Sequence, residues 1–207
     1  MKQSCVTMSY ELLTALAAFA FVSAITPGPN NFMLMSSGMN FGIRHTVPHM
    51  LGIGLGFPLM VLLVGAGLMG IFDAVPHSYT VLQTVSALYL LYLAWKIANT
   101  KRGRDGEGAS NAKPMTFLQA ALFQWVNPKA WAMALTAVSV YTPPSKPIWA
   151  VVLVAAVFAV MSAPAISLWA FLGRQLRCFL DQPGRFRSFN IGCAVLLVFS
   201  LYPVFFG

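Results

Sequence analysis

A break in an apolar run contains the residues of this sequence that are best suited to bind a solute. Thr26–Asn31, with the sequence Thr-Pro-Gly-Pro-Asn-Asn, interrupts a run from Leu12 to Met35 that is long enough to span a bilayer. Pro27 and Pro29 lack a backbone N–H and clash with the preceding turn, so a helix cannot continue through them. Within hydrocarbon, such a break is tolerated where it faces protein or a water-filled cavity. Broken helices at this depth build solute sites in transporters, and the pattern therefore favours a small-solute site.

A second break, Asn127-Pro128-Lys129, lies near the middle of a later apolar stretch at 117–141. Asn127 is a favourable N-cap and Pro128 fits the first position of a helix, as Pro29 does in the first break. Each restarting helix presents unpaired N–H groups and the positive end of its dipole, which together suit a carboxylate. Lys129 adds a full charge, and a lysine at the centre of a span costs about 2.5–3.5 kcal/mol to insert. The alternatives are that Lys129 snorkels or bonds to backbone carbonyls to stabilise the fold, and that the prolines merely kink the helices.

The predicted substrate-binding residues are those of the two breaks. Because no Asp or Glu lies at the middle of a predicted span, a bound ammonium group would depend on backbone and amide oxygens, such as those of Thr26, Asn30 or Val126. This chemistry favours a small zwitterion or neutral amino acid over a strongly cationic solute or a metal ion, which prefers carboxylate ligands. The complete predicted set is Thr26, Pro27, Gly28, Pro29, Asn30, Asn31, Asn127, Pro128 and Lys129.

The overall composition is that of an integral membrane protein. Of the 207 residues, 58% are apolar and 9% are charged, with a mean hydropathy of +0.72, whereas a soluble domain carries roughly a quarter charged residues. In a membrane protein the positions of the charged residues are more informative than their sum, which is +8 here. The basic cluster at 101–104 therefore indicates a topogenic loop rather than a nucleic-acid site. The cysteines Cys5, Cys178 and Cys193 have no metal-ligand spacing and are odd in number, so no disulfide framework is expected.

Other function classes have weak support. Gly65–Gly70 matches the dinucleotide pattern GxGxxG, but it lies inside a predicted span with no strand before it. An intramembrane enzyme needs a nucleophile with a base, or a metal cluster, and three scattered histidines without HExxH or GxSxG do not provide one. We therefore expect no catalytic residues, no metal and no cofactor. A non-transporting membrane scaffold or assembly factor, and an exporter of a different small solute, remain open alternatives.

The hydropathy pattern predicts an all-α membrane protein with six transmembrane helices, of which the first and fourth are broken. Three spans in each half place the second half in the opposite orientation, as a 3+3 inverted repeat. A single transporter domain of 1–207 would comprise repeat 1 at about 10–98, a cytoplasmic loop at about 99–116 and repeat 2 at about 117–206.

Gly52 and Gly56 form a GxxxG pair suited to close helix packing, and Pro164 predicts a kink. The predicted spans are about 12–35, 47–71, 79–97, 117–141, 148–172 and 189–206.

The distribution of basic residues predicts the orientation. Ten of the 13 Lys and Arg residues fall in the first, third and fifth links between spans, which are about 36–46, 96–116 and 173–188. The positive-inside rule places these links in the cytoplasm and both termini outside.

The sequence resembles the LysE/RhtB family of bacterial amino-acid exporters over nearly the whole chain. The specific matches are Thr-Pro-Gly-Pro-Asn-Asn at 26–31 and Phe-Gln-Trp-Val-Asn-Pro-Lys at 123–129; 93–98 and Lys113-Pro114 resemble the cysteine and O-acetylserine branch. The resemblance implies a multi-pass protein of the bacterial inner membrane that exports small neutral amino acids or derivatives, either cysteine/O-acetylserine-like or threonine/homoserine-like, by proton antiport with alternating access. Many members of the family carry Asp where Asn30 stands, which disfavours export of basic amino acids. His45, His49 and Glu11 are then the candidate proton carriers.

Overall fold

A computed structural model describes residues 10–68, 70, 74–100, 113–143, 148–179 and 183–202. The predictions for Cys5, for the basic cluster at 101–104 and for most of the loop at about 99–116 lie outside these residues. The described residues form helices joined by short non-helical segments and contain no strand, as the all-α prediction required. The helices are α1 (Tyr10–Ile25), α2 (Pro29–Leu63), followed by a π-helical turn (Val64–Leu68), α3 (Ser78–Ala98), α4 (Phe117–Phe123), followed by a 3₁₀ turn (Gln124–Val126), α5 (Pro128–Tyr141), α6 (Ile148–Phe179) and α7 (Pro183–Phe199).

Local sequence explains where the helices next to the breaks begin. Helix α2 begins at Pro29 and α5 at Pro128, so both restarts place a proline in the first turn, as predicted. Helix α4 begins with a capping box, in which the Thr116 hydroxyl accepts from the Gln119 N–H at 3.2 Å and the Gln119 side chain accepts from the Thr116 N–H at 3.1 Å.

Helix α2 consists of two antiparallel arms that meet at Gly42. Gly42 has φ 75° and ψ 170°, a left-handed backbone conformation that a side chain would disfavour. The Ser37 and Thr46 hydroxyls lie 2.9 Å apart across this turn, and Leu34 packs in one apolar cluster with Ile53. In a straight helix Leu34 and Ile53 would be about 28 Å apart, so the chain must reverse. We call residues 29–41 α2a and residues 43–63 α2b.

Two predicted links are largely helical. The polar link at 36–46 is helix apart from the turn at Gly42, because its polar side chains bond within the helices. The Asn40 amide, for example, donates to the Ser36 carbonyl at 2.7 Å, and the Thr46 hydroxyl donates to the Gly42 carbonyl at 2.9 Å. The fifth predicted span also continues beyond Leu172 to Phe179, since Gly173 brings α6 against the backbone of Met35 instead of ending the helix.

The glycines of α2b bring it close to a neighbouring helix. A Cβ at Gly56 would lie 2.7 Å from the Ala121 Cα, and one at Gly52 would overlap the Phe117 carbonyl and the Ala120 side chain of α4. The backbones therefore approach more closely than side chains would permit, which is the geometry of small-residue packing in membrane proteins. The largest apolar cluster joins α1, α2b, α5 and α6 around Phe158, Met60 and Leu16.

By length and composition, three described stretches could cross a bilayer, namely Pro29–Leu68, which reverses at Gly42, Ser78–Ala98 and Ile148–Arg177. Shorter apolar helices occupy Tyr10–Ile25 and Phe117–Val126. Many large apolar side chains face outward, including Leu55, Leu88 and Val160, each more than half exposed. A membrane supplies the apolar surroundings that such a surface needs. The division into six spans and the inverted repeat stay predictions.

Candidate functional site

The two breaks meet inside the helix bundle. The Asn30 side-chain amide donates to the Gln124 side-chain oxygen at 2.9 Å, and the Gln124 amide donates back to the Asn30 oxygen at 3.2 Å. Gln124 is fully buried and also donates to the Ala120 carbonyl at 2.9 Å. This reciprocal pair joins residues 94 positions apart and therefore holds the first break against the second.

Side chains satisfy the carbonyl groups that the first break frees. The Asn31 amide donates to the carbonyls of Ala24 and Thr26 at 2.9 and 2.8 Å. The Trp169 indole of α6 donates to the Ile25 carbonyl at 3.1 Å. The last carbonyls of α1, which have no partner within that helix, are thus bonded by residues from other segments.

Lys129 lies across the first break. Its ammonium donates to the Thr26 carbonyl at 2.5 Å and lies 3.4 Å from the Pro27 carbonyl. A Cβ added to Gly28 would be 2.7 Å from the Lys129 Cδ and 3.2 Å from its Nζ, so the lysine occupies space that only a glycine leaves free. The sequence left open the alternative that Lys129 bonds to backbone carbonyls, and the structure shows this contact. It also brings a positive charge to the open end of α2.

The N-termini of α2 and α5 differ. Helix α5 is capped, because the Asn127 side chain accepts from the Lys129 N–H at 3.2 Å. Helix α2 begins after Gly28 with no side-chain cap. Its first residue, Pro29, has no N–H, so the N–H groups of Asn30 and Asn31 form the uncapped positive end of the helix dipole.

A cavity lies where these features meet, and it brings together most of the predicted site. Of the predicted residues, Gly28, Asn30, Asn31, Asn127 and Lys129 line it. Thr26 and Pro27 take part through the carbonyls that Lys129 contacts, whereas Pro29 and Pro128 serve as first residues of helices. The remaining lining residues are Ser23, Ala24, Ile53, Phe57, Ala130, Met133, Ser162 and Ile166. None of these described lining residues is acidic, and apart from Ser23 and Ser162 the remaining ones are apolar.

Sequence reasoning missed Gln124, Ser23, Met133 and Ser162. Gln124 carried a usable signal, because an uncharged amide in an apolar span needs a partner, and Asn30 was an available amide in the other break. Ser23 and Ser162 gave no signal, since serines are common in membrane helices and bond to their own backbone. Only the packing of α6 brings Ser162 to the cavity.

The candidate proton carriers do not lie in this cavity. Glu11 is exposed in the first turn of α1, and His45 is exposed with its ring 3.1 Å from the Phe41 carbonyl. His49 is 1% exposed and lines a separate chamber.

Comparisons with known proteins agree with the resemblance seen in the sequence. A family model described as LysE type translocator matches residues 21–202. The chain is 32% identical over 203 residues to the "Cysteine/O-acetylserine efflux protein" of Escherichia coli (strain K12), and 33% identical over 203 residues to the protein of the same name from Shigella flexneri. Each alignment covers 96% of this chain and 100% of the relative. No solved structure matches the chain significantly.

Proposed function

The chain belongs to the LysE family of translocators, and from this premise we propose that it exports small neutral amino acids or their derivatives across the inner membrane. The observation that carries the proposal is the convergence of two helix breaks on one cavity that holds Lys129 and the uncapped start of α2. The relatives named as cysteine/O-acetylserine efflux proteins favour a substrate of that kind, and threonine or homoserine is the second choice.

In this mechanism the zwitterion inserts between Lys129 and the first break. Its ammonium replaces the Lys129 ammonium at the carbonyls of Thr26 and Pro27, which already accept a cation. Its carboxylate then bonds to the released Lys129 and to the N–H groups of Asn30 and Asn31. Asn127 supports the site by capping α5 and so placing Lys129, and Gly28 leaves room for the exchange.

The lining also explains the expected selectivity. Because none of the described residues that line the cavity is a carboxylate, a cationic substrate side chain would lose its hydration without gaining a counter-ion. The apolar residues Ile53, Phe57, Met133 and Ile166 suit a short, weakly polar side chain.

Transport needs access from each side in turn. We propose that six spans form a 3+3 inverted repeat, with the first, third and fifth links in the cytoplasm and both termini outside. One repeat then rocks against the other about the paired breaks, and export is coupled to the entry of protons. The reciprocal pair of Asn30 and Gln124 lies at the contact between the two halves and supports this arrangement. The domain would comprise repeat 1 at about 10–98, the loop at about 99–116 and repeat 2 at about 117–206.

Efflux from cells that overproduce the protein tests the proposal. Cells are loaded with cysteine, O-acetylserine, threonine, leucine or lysine, and efflux is followed with and without an uncoupler. We expect faster efflux of a neutral substrate, no effect on lysine, and loss of the gain when the proton gradient collapses. Unchanged efflux of every amino acid, with the protein inserted normally, would favour a different solute or a scaffold role. If efflux is faster with the protein and stays faster in the presence of the uncoupler, proton antiport is refuted but export is not.

A further inference from the structure

A second polar chamber lies at the opposite end of α2a from the cavity at the breaks. It is formed by α2a, α2b, the end of α3 and the segment before α4. Its polar lining consists of Ser36, Ser37, Asn40, His49, Lys96, Thr100 and Lys113. Asn30 and Asn40 are ten residues apart on one helical arm, so the two sites are separated by about 15 Å.

The chamber contains buried polar atoms without a partner. Among the residues that the structure describes, neither ring nitrogen of His49 has a hydrogen-bond partner, although the residue is 1% exposed, and the side-chain oxygen of Asn40, which is 4% exposed, also has none. Ser36 and Ser37 are already engaged, with the Asn40 amide and with the Thr46 hydroxyl. The Asn40 amide also donates to the side-chain oxygen of Asn190 at 3.3 Å, and the Asn190 amide nitrogen is likewise unpartnered, so the Asn40 oxygen alone does not indicate a ligand. Because buried polar groups in native proteins are nearly always bonded, it is the two ring nitrogens of His49 that indicate a ligand.

The unpartnered groups and the nearby charges complement a zwitterion. The N–H of a neutral imidazole donates to a carboxylate, and the Asn40 oxygen accepts from an ammonium group. Lys96 is partly exposed and Lys113 is exposed, and both line the same chamber. Within the described ranges the only acidic residue is Glu11, at the start of α1, so no described carboxylate neutralises these lysines. Lys96 and Lys113 therefore place two positive charges beside the chamber.

An apolar layer separates the chamber from the cavity at the breaks. Leu34, Ile53, Ala120 and Ile166 pack together as a buried cluster, and Ile53 and Ile166 also line the cavity at the breaks. Along α2 the layer lies between the two sites, since Leu34 lies between Asn30 and Asn40, and Ile53 lies between His49 and Phe57.

We propose that the chamber around His49 and Asn40 is a second binding site for the transported amino acid, where it waits before crossing the apolar layer. His49 with Lys96 and Lys113 binds the carboxylate, and Asn40 binds the ammonium group. This inference rests on the proposed function for the identity of the ligand.

Equilibrium dialysis of the purified full-length protein with radiolabelled O-acetylserine tests the site. We expect two equivalents to bind, of which Lys129→Met removes one. In the Lys129→Met background, His49→Leu should weaken the remaining equivalent about tenfold, the loss of one hydrogen bond to a charged group. His49→Gln, which keeps a donor, should restore binding to within about threefold. The carboxamide of O-acetylserine, which lacks the carboxylate, should not compete.

The outcomes separate this inference from the proposed function. If the native protein binds only one equivalent of O-acetylserine and His49→Leu does not change that binding, the second site is overturned even if efflux is normal. Two equivalents with no efflux would overturn the proposed function and leave the second site standing. Competition by the carboxamide as strong as that of the parent compound would overturn the carboxylate assignment.

A second variant covers the case in which His49→Leu does not fold. Lys96→Ala combined with Lys113→Ala changes partly or fully exposed side chains and should fold. We expect the second equivalent to bind about threefold more weakly, with a smaller dependence on salt. Unchanged affinity and salt dependence would overturn the assignment.

Discussion

The two helix breaks have similar sequences but different structures. The break at Thr26–Gly28 leaves the start of α2 uncapped. The carbonyls at the end of α1 and at Thr26 are satisfied by side chains from elsewhere, namely Lys129, Asn31 and Trp169. The break at Gln124–Asn127 is a compact 3₁₀ turn followed by an Asn cap, so its backbone satisfies itself locally.

This difference assigns separate tasks to the breaks. The first break depends on partners that a ligand can replace, above all the Lys129 ammonium at the Thr26 carbonyl. The second break is locally closed and supplies side chains, Gln124 and Lys129, to the first. We infer that the first break holds the solute and that the second positions the groups around it.

The largest effect is expected when the charge that the second break supplies is removed. Lys129→Met keeps the length of the side chain but cannot bind a carboxylate, and losing one partner of a buried charged pair costs about 2–5 kcal/mol, a loss of export of about a hundredfold. Efflux at matched membrane levels measures it. Arg185→Met, at an exposed position in α7, is the control. Normal export by Lys129→Met would show that the lysine only stabilises the fold.

The amide pair between the breaks should give the next largest effect. Asn30→Leu or Gln124→Leu leaves one buried amide unsatisfied, which costs about 1–3 kcal/mol and should lower export about ten- to a hundredfold. The double variant removes both amides, so its thermal unfolding midpoint should be higher than the sum of the two single losses predicts, while export stays low. Asn99→Leu, at an exposed amide that bonds to the Trp95 carbonyl, is the control. Strictly additive destabilisation would contradict the coupling of the two breaks.

A smaller effect is expected when only the space for the lysine is reduced. Gly28→Ala places a methyl group 2.7 Å from the Lys129 Cδ. Because overpacking costs about 1–3 kcal/mol and a lysine side chain can shift, export should fall about tenfold with little change in protein level. Gly192→Ala, where a Cβ meets nothing within 4 Å, serves for comparison. Equal export by the two alanine variants would exclude a role for the position of Lys129.

The smallest effect is expected at the cap of the second break. Asn127→Ala removes the acceptor for the Lys129 N–H and should cost about 1 kcal/mol of stability, with export reduced about fivefold. Asn127→Ser should retain most of both because serine also caps helices. The unfolding midpoint in detergent and efflux at matched levels measure the two effects. A loss of export as large as that of Lys129→Met would mean that Asn127 itself contacts the solute.

Several features of the fold could be predicted because they depend on neighbouring residues. The proline starts of α2 and α5 and the Asn127 cap follow from local backbone chemistry. The helical course of 36–46 and the continuation of α6 through Gly173 could not be predicted, because both depend on contacts with distant segments. Gly173, for example, packs against the backbone of Met35.

The sequence by itself determined the membrane class, the family, and the two breaks as the place to look for a site. Composition, proline chemistry and motif matches depend only on residue type and spacing. Only the tertiary structure decided that Asn30 pairs with Gln124, that Lys129 bonds across the first break, and that Ser162 joins the cavity. The physical reason is that a buried polar group bonds to whatever partner the helix packing brings within reach, and that partner is about a hundred residues away in the chain.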